Sequence, residues 1–531
     1  MWKSSARSFA RSGSLSTGEV RALQMREHLV WRTRPPKRRE PERSGTVLKR
    51  AEHLTLEERT ARGEAARDRV PPSTHAGWLP RSDRGDPVAL IQEQDARRDA
   101  DLVPVRHGRM MASPFAFYRG AARVMATDLA GAPTAGLDVQ LCGDAHLSNF
   151  GVFGSPERRL VFDINDFDET LPGPFEYDVK RLAASMTVAA YNNGFTKSDA
   201  KAVTKATVAS YRQAVGEFSR MRTLQVWYAH VAEDELRRVV GQATSALAKG
   251  KGQGGKDKEA VKAARKLQKR FEKNVARAHS HDSLQALSKL TEVVGGNCRI
   301  ASAHPVIVPA RELRATYGID PEQLEGVVLG QFSQYRQSLP PDRRLLLDRF
   351  EVVDWARKVV GVGSVGTRAF VALLQGRDEL DPLFLQIKEA TASVLEEPLR
   401  KSWSGQPGER VVQGQRLMQA ASDIFVGWST GAEPGRYYYW RQLRDMKGSA
   451  VVELMPPEEM TFYGRLCGWS LARAHARSGD PVSIAAYLGT DDAFDRSVTD
   501  FAQRYAVQNE RDFEAFVEAI RTSRIDAVEG V

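Results

Sequence analysis

Three cysteines in 531 residues, Cys142, Cys298 and Cys467, are too few and too scattered for a disulfide framework or a CxxC metal site. A reducing compartment suits such a chain. No stretch approaches the roughly 18 consecutive apolar residues of a membrane span, and the N-terminal region lacks the apolar block of a secretory signal. The expected location is therefore the cytoplasm, with no membrane partner. Internal repeats are also missing, which excludes solenoids and propellers. With 42% hydrophobic and 27% charged residues the composition is that of a globular chain with ample core material.

The net charge of +10 is concentrated in two places: residues 1–50 hold 13 Lys/Arg against 4 Asp/Glu, and residues 248–276 hold 10 against 3. The remainder is slightly acidic. Neither basic segment interleaves aromatics with its charges as single-strand binding requires, so no specific nucleic-acid partner is expected. The first segment, with WRTRPPKRREPERSG, has the composition of a disordered basic tail. In the second, KGKGQGGKDKE reads as a flexible loop between helices.

Elsewhere the pattern predicts α+β structure. Thr55, with Glu58 three residues on, opens a helix as a capping box, and Pro71 and Pro72 end it. A helix is expected over Pro114 to Leu129. Short strands follow at DVQLC (138–142), NFGVF (149–153) and LVFDI (160–164), the last two forming a hairpin across GSPERR. Residues 178–275 read as almost wholly helical. A strand-rich block spans Val359 to Ala390, a helix falls near 409–427, and RYYYWRQLRDM (436–446) is an aromatic strand before helices that run to about 521. His475 and the aromatics Tyr437, Tyr438, Tyr439 and Trp440 read as packing residues.

The densest chemical signal is CGDAHLSNFGVFGSPERRLVFDINDFDETLPGPFEYDVKRLA, residues 142–183. Asp144, His146 and Asn149 share one loop after a strand, and the hairpin returns the chain so that Asp166 can join them. Asp and Asn oxygens suit Mg²⁺, which keeps several waters and is usually completed by substrate phosphates. A further Asp can accept a hydroxyl proton during attack on phosphorus.

The order G-D-x-H-x-x-x-N, hairpin, D-F-D, G-P and D-V-x-R-L resembles the catalytic core of the aminoglycoside phosphotransferase and choline kinase branch of the protein-kinase-like superfamily. The resemblance implies Asp144 as catalytic base, Asn149 and Asp166 as Mg²⁺ ligands, and Asp178 as a buried acid bracing the loop, with His146 and Asp168 in support. Because Asn165-Asp166-Phe167-Asp168 departs from the usual pattern, Asp163, Asp166 and Asp168 stay open as the metal ligand. Over residues 54 to 515 the chain also resembles the bacterial domain-of-unknown-function family 2252, which implies no activity.

A nucleotide-binding segment is expected downstream. Gly361, Gly363 and Gly366 form G-x-G-x-x-G ahead of the strand TRAFVALL, and LFLQIKEA ends in Lys388, which resembles the strand lysine of V-A-I-K. Glu409 is favoured over Glu396 as the acid holding that lysine, and Arg441, Arg444, Asp445 and Lys447 are candidates for the pocket edge.

The fold so implied is α+β and protein-kinase-like: a mostly helical large lobe and a small antiparallel-sheet lobe, circularly permuted in sequence order. Residues 1–50 are the tail, 51–345 the helical catalytic part, 346–455 the nucleotide lobe, and 456–531 the helices completing the large lobe. The expected activity is ATP- and Mg²⁺-dependent phosphoryl transfer to a hydroxyl of a small molecule. A metal-dependent phosphohydrolase, an AMP transferase and a non-catalytic nucleotide-binding module remain as alternatives.

Overall fold

Proline and polar caps start most of the helices. Thr55 closes the capping box with Glu58 at the head of Leu56–Arg69, Ser113 caps Pro114–Gly120, and Asp480 caps Pro481–Leu488. The computed structural model describes residues 53–249, 258–280, 283–294, 297–304, 306–312, 321–359, 365–443 and 446–529. The architecture is mixed α+β with small antiparallel sheets. None of the helices among these residues is long and apolar enough to cross a membrane.

At the centre of the helical body lies Glu176–Asn192, buried along nearly its whole length. Lys197–Phe218, Pro457–Ser478 and Ala493–Arg521 pack around it. Gly468 lets Lys197–Phe218 and Pro457–Ser478 approach closely: a Cβ there would lie 2.4 Å from the Thr207 carbonyl oxygen. The expected single helix over Pro114 to Leu129 is two, Pro114–Gly120 and Ala122–Leu129, broken at Ala121. Buried Arg106 donates to the Gly120 carbonyl oxygen at 2.8 Å, which satisfies the acceptor freed by the break.

A six-stranded antiparallel sheet has the order Gly427–Thr430, Tyr437–Gln442, Pro382–Glu389, Ala369–Gln375, Glu351–Lys358, Ile307–Pro309. Trp440 stacks on Tyr335 at 4.5 Å within a core of its own. The strand Glu351–Lys358 is missing from the sequence reading because Asp354 and Arg357 break its apolar alternation; both carry partners, Ile300 N–H on Asp354 and Asp99 on Arg357. The helix expected near 409–427 is Pro407–Met418. It stops early because the Ala420 N–H donates to the buried Asp163 carboxylate at 3.0 Å. The loop expected at KGKGQGGKDKE falls largely outside the described residues.

One buried group gives a direct test of the packing. His75 is 1% exposed and hydrogen-bonded to the Tyr487 hydroxyl at 2.7 Å, with Glu176 3.9 Å away. Burial, then the nearby Lys180 charge, pushes its imidazole down to about 3. The unfolded chain then binds a proton below pH ~6.5 that the folded one refuses, so this contribution to stability is whole above ~6.5 and lost as pH falls toward 3. The His75 ring resonances are expected to stay those of neutral imidazole from pH 8 down to 5; a midpoint near 6.5 would contradict the burial.

Candidate functional site

The loop after the strand Asp138–Leu141 is built around a turn that only glycine can make. Gly143 has φ +88°, and a Cβ there would lie 2.1 Å from the Glu169 carbonyl oxygen. Asp178 accepts the N–H groups of Cys142 at 2.6 Å and Gly143 at 3.0 Å, bracing the turn from the first turn of its helix. His475 in turn contacts Asp178 at 3.2 Å while holding the Tyr211 hydroxyl at 2.8 Å. Tyr463 donates to the carbonyls of Leu147 and Phe150, both at 2.9 Å. These contacts fix Asp144, His146 and Asn149 on a rigid frame.

The hairpin Phe150–Gly154 and Leu160–Ile164 then delivers the acidic segment. The Asn149 side-chain NH₂ donates to the carbonyls of Asp166 at 2.9 Å and Asp144 at 3.2 Å, so its remaining polar atom is the amide oxygen. Asp144 accepts from Arg181 Nε at 2.8 Å, and Arg181 stacks over Tyr118 at 3.8 Å. His146 Nε2 lies 3.7 Å from Asp144, and its imidazole is pushed down to about 4 by burial, with Arg119 and Arg181 adding to the effect. It is neutral at physiological pH.

Lys388 lies on a central strand, directly across from Tyr439. Its ammonium donates to Asp168 at 2.6 Å and to both oxygens of Asp166 at 3.3 Å, and the Tyr439 hydroxyl donates to Asp168 at 2.6 Å. Burial opposes ionisation of Asp166, but Lys388, Arg441 and Lys447 together hold its carboxyl well below the usual range. Lys447 is pushed down to about 7 by burial, with Arg441 adding to it.

Among the three open acids, Asp163 is 2% exposed and paired with buried Arg473, away from the cavity, whereas Asp166 and Asp168 face it. Glu409 does not hold Lys388. Its carboxylate accepts from Gln413 at 2.7 Å, one turn along its own helix, while the neighbouring residue, Arg410, enters the site. Buried Arg410 donates to the carbonyls of Asp168 at 2.8 Å, Thr170 at 2.5 Å and Thr391 at 2.8 Å. With acids available on the 165–170 loop, the lysine needs none from the helix. Gly361 and Gly363 lie outside the described residues, as do Arg444 and Asp445. Gly366 ends the turn at φ +84°, tied to the Asp99 N–H at 2.7 Å.

These residues enclose a cavity of about 500 Å³ walled by Asp144, His146, Asn149, Asp166, Asp168, Glu169 and Lys447, with Thr367 and Glu389–Val394 from the sheet side. Lys388 lies behind the two carboxylates rather than on the wall. Glu169 is pushed up to about 7 by burial, with Asp168 and Asp144 also raising it against the Val394 N–H and Arg410. The sequence reading missed Arg181, Arg410 and Tyr439 as site residues; each joins through contacts dozens to hundreds of positions apart, which no local pattern encodes.

The donors fit a hard cation. Asp166 and Asp168 carboxylates and the Asn149 amide oxygen are all oxygen, and the Asp166 side chain is 37% exposed. Among the described residues no three His, Cys, Asp or Glu side chains converge on one point, so a bound ion would take further oxygens from water or phosphate. The family model for domain-of-unknown-function family 2252, described as an uncharacterized protein conserved in bacteria, matches residues 98–519. No curated protein and no solved structure matches the chain.

Proposed function

From a chain that belongs to this bacterial family of uncharacterized proteins, we propose an ATP- and Mg²⁺-dependent phosphotransferase acting on a hydroxyl of a small molecule, with a permuted kinase-like arrangement of lobes. One observation carries the reading: Lys388, from the sheet, meets Asp166 and Asp168, from the hairpin, beside Asp144 and Asn149. Segments some two hundred positions apart thus share one acidic, cation-braced cavity.

In this reading Asp144, oriented by Arg181, accepts the acceptor's proton as the hydroxyl oxygen bonds to the γ-phosphorus and the bond from that phosphorus to the bridging oxygen breaks, releasing ADP. Mg²⁺ held by Asn149 and Asp166 would offset charge on the phosphates. Lys447, on the cavity wall, is placed to pair with them when it takes up a proton, and Lys388 holds the two carboxylates in place.

Millimolar ATP with Mg²⁺ is expected to raise the melting temperature by several degrees. At saturation a hundredfold over Kd corresponds to about 2.7 kcal/mol. Asp166→Asn should remove most of that rise. No shift in the wild type would count against nucleotide binding altogether.

A further inference from the structure

The cavity wall also carries four arginines among the acids Glu93, Glu396 and Glu397: Arg97 and Arg98, just past the helix Pro87–Asp95, and Arg119 and Arg123, which flank the break at Ala121. Most of this charge is already committed. Arg123 is paired with Glu93 at 2.9 Å and Glu397 at 3.0 Å, and Arg98 donates to the Val365 carbonyl at 2.6 Å while lying 3.5 Å from Asp95.

Arg119 differs. Among the described residues it makes no hydrogen bond or ion pair, the acids that act on it being the more distant Glu453 and Asp144; its Nε, like those of Arg98 and Arg123, is buried without an acceptor. Arg119 sits one position after Tyr118, whose ring carries Arg181, the arginine that orients Asp144. An unpaired guanidinium partly withdrawn from water is costly, and a fork of five donors suits a planar carboxylate or a phosphate.

We propose that Arg119, with Arg97 at the rim, binds an anionic group, a phosphate or a carboxylate, on the acceptor molecule, and so presents the acceptor's hydroxyl to Asp144. The inference rests on the phosphotransferase reading for the meaning of "acceptor" but not for the anion site itself. The substrate class is then a small hydroxylated anion rather than an amine or a neutral sugar.

The test titrates glycerol 3-phosphate, glycerate and plain glycerol into the full-length protein by calorimetry, with and without a saturating non-hydrolysable ATP analogue and Mg²⁺. Glycerol 3-phosphate or glycerate is expected to bind, and which of the two binds more tightly identifies phosphate or carboxylate; glycerol should not bind. Arg119→Gln should weaken that binding by about tenfold or more, with Arg119→Lys intermediate because charge remains but the fork is lost. Binding of the ATP analogue should be unchanged in both variants, which also reports that they fold. Two results overturn the assignment: no binding of either anion up to about 10 mM, or binding that Arg119→Gln leaves unaltered. If the analogue itself fails to bind, the phosphotransferase reading falls, and the titrations without it still decide the anion site.

Discussion

Asp144→Asn is expected to lower phosphoryl transfer by about 10²–10⁴-fold, the usual contribution of a positioned general base, with nucleotide affinity and melting temperature close to wild type. Asparagine keeps an oxygen for Arg181, whose Nε donates to Asp144 at 2.8 Å, so the guanidinium stays stacked on Tyr118. The loop frame is equally untouched, because Asp178 and Tyr463 hold its main chain rather than the Asp144 carboxylate. What is lost is the proton acceptor, together with the charge that faces Arg181. Incorporation from γ-labelled ATP into a bacterial metabolite extract reads the effect; transfer within a factor of a few of wild type would remove Asp144 from the mechanism.

The neighbouring acid Asp163 should behave in the opposite way. It is 2% exposed, paired with Arg473 at 1%, and accepts the Ala420 N–H at 3.0 Å and its own following N–H at 2.9 Å. Asp163→Ala strands a buried guanidinium and frees the amide that ends Pro407–Met418, the helix carrying Arg410 into the site. A loss of about 3–5 kcal/mol is expected, seen as a large drop in denaturation midpoint. Asp166→Asn, at a side chain 37% exposed to the cavity, should cost far less. Equal destabilisation by the two substitutions would mean that the acids are not divided between structural and functional roles.

That division illustrates what the sequence could and could not tell. Asp163, Asp166 and Asp168 look alike in LVFDINDFDE, and the local pattern places the first on a strand without saying that Arg473, 310 positions on, awaits it. The loop was legible because its logic is local: a glycine at positive φ, an asparagine five residues after an aspartate, and a helix-start acid returning to two main-chain N–H groups. Lys388 was legible as the polar end of an apolar strand, but its partners were not. Glu409 suits the role by sequence because it opens a helix at a plausible distance, and yet Asp166 and Asp168 on the 165–170 loop are the acids that reach the lysine. The break at Ala121 was hidden for the same reason, since Arg106 stabilises it from another helix.

His475, read as a packing residue, does pack, but its ring also links Asp178 to Tyr211 and so lies two contacts from the Gly143 turn. Tyr439 likewise belongs to the sheet and at the same time donates to Asp168. In both cases residue type and periodicity identified burial correctly, while the direction of the polar atom depended on the tertiary arrangement.

The most direct test is a crystal structure of the protein with a non-hydrolysable ATP analogue and Mn²⁺ in place of Mg²⁺. The account predicts an anomalous peak bridged by the Asn149 amide oxygen and Asp166, with the terminal phosphate facing Asp144. Metal and nucleotide bound elsewhere, with this cavity filled only by water, would contradict it.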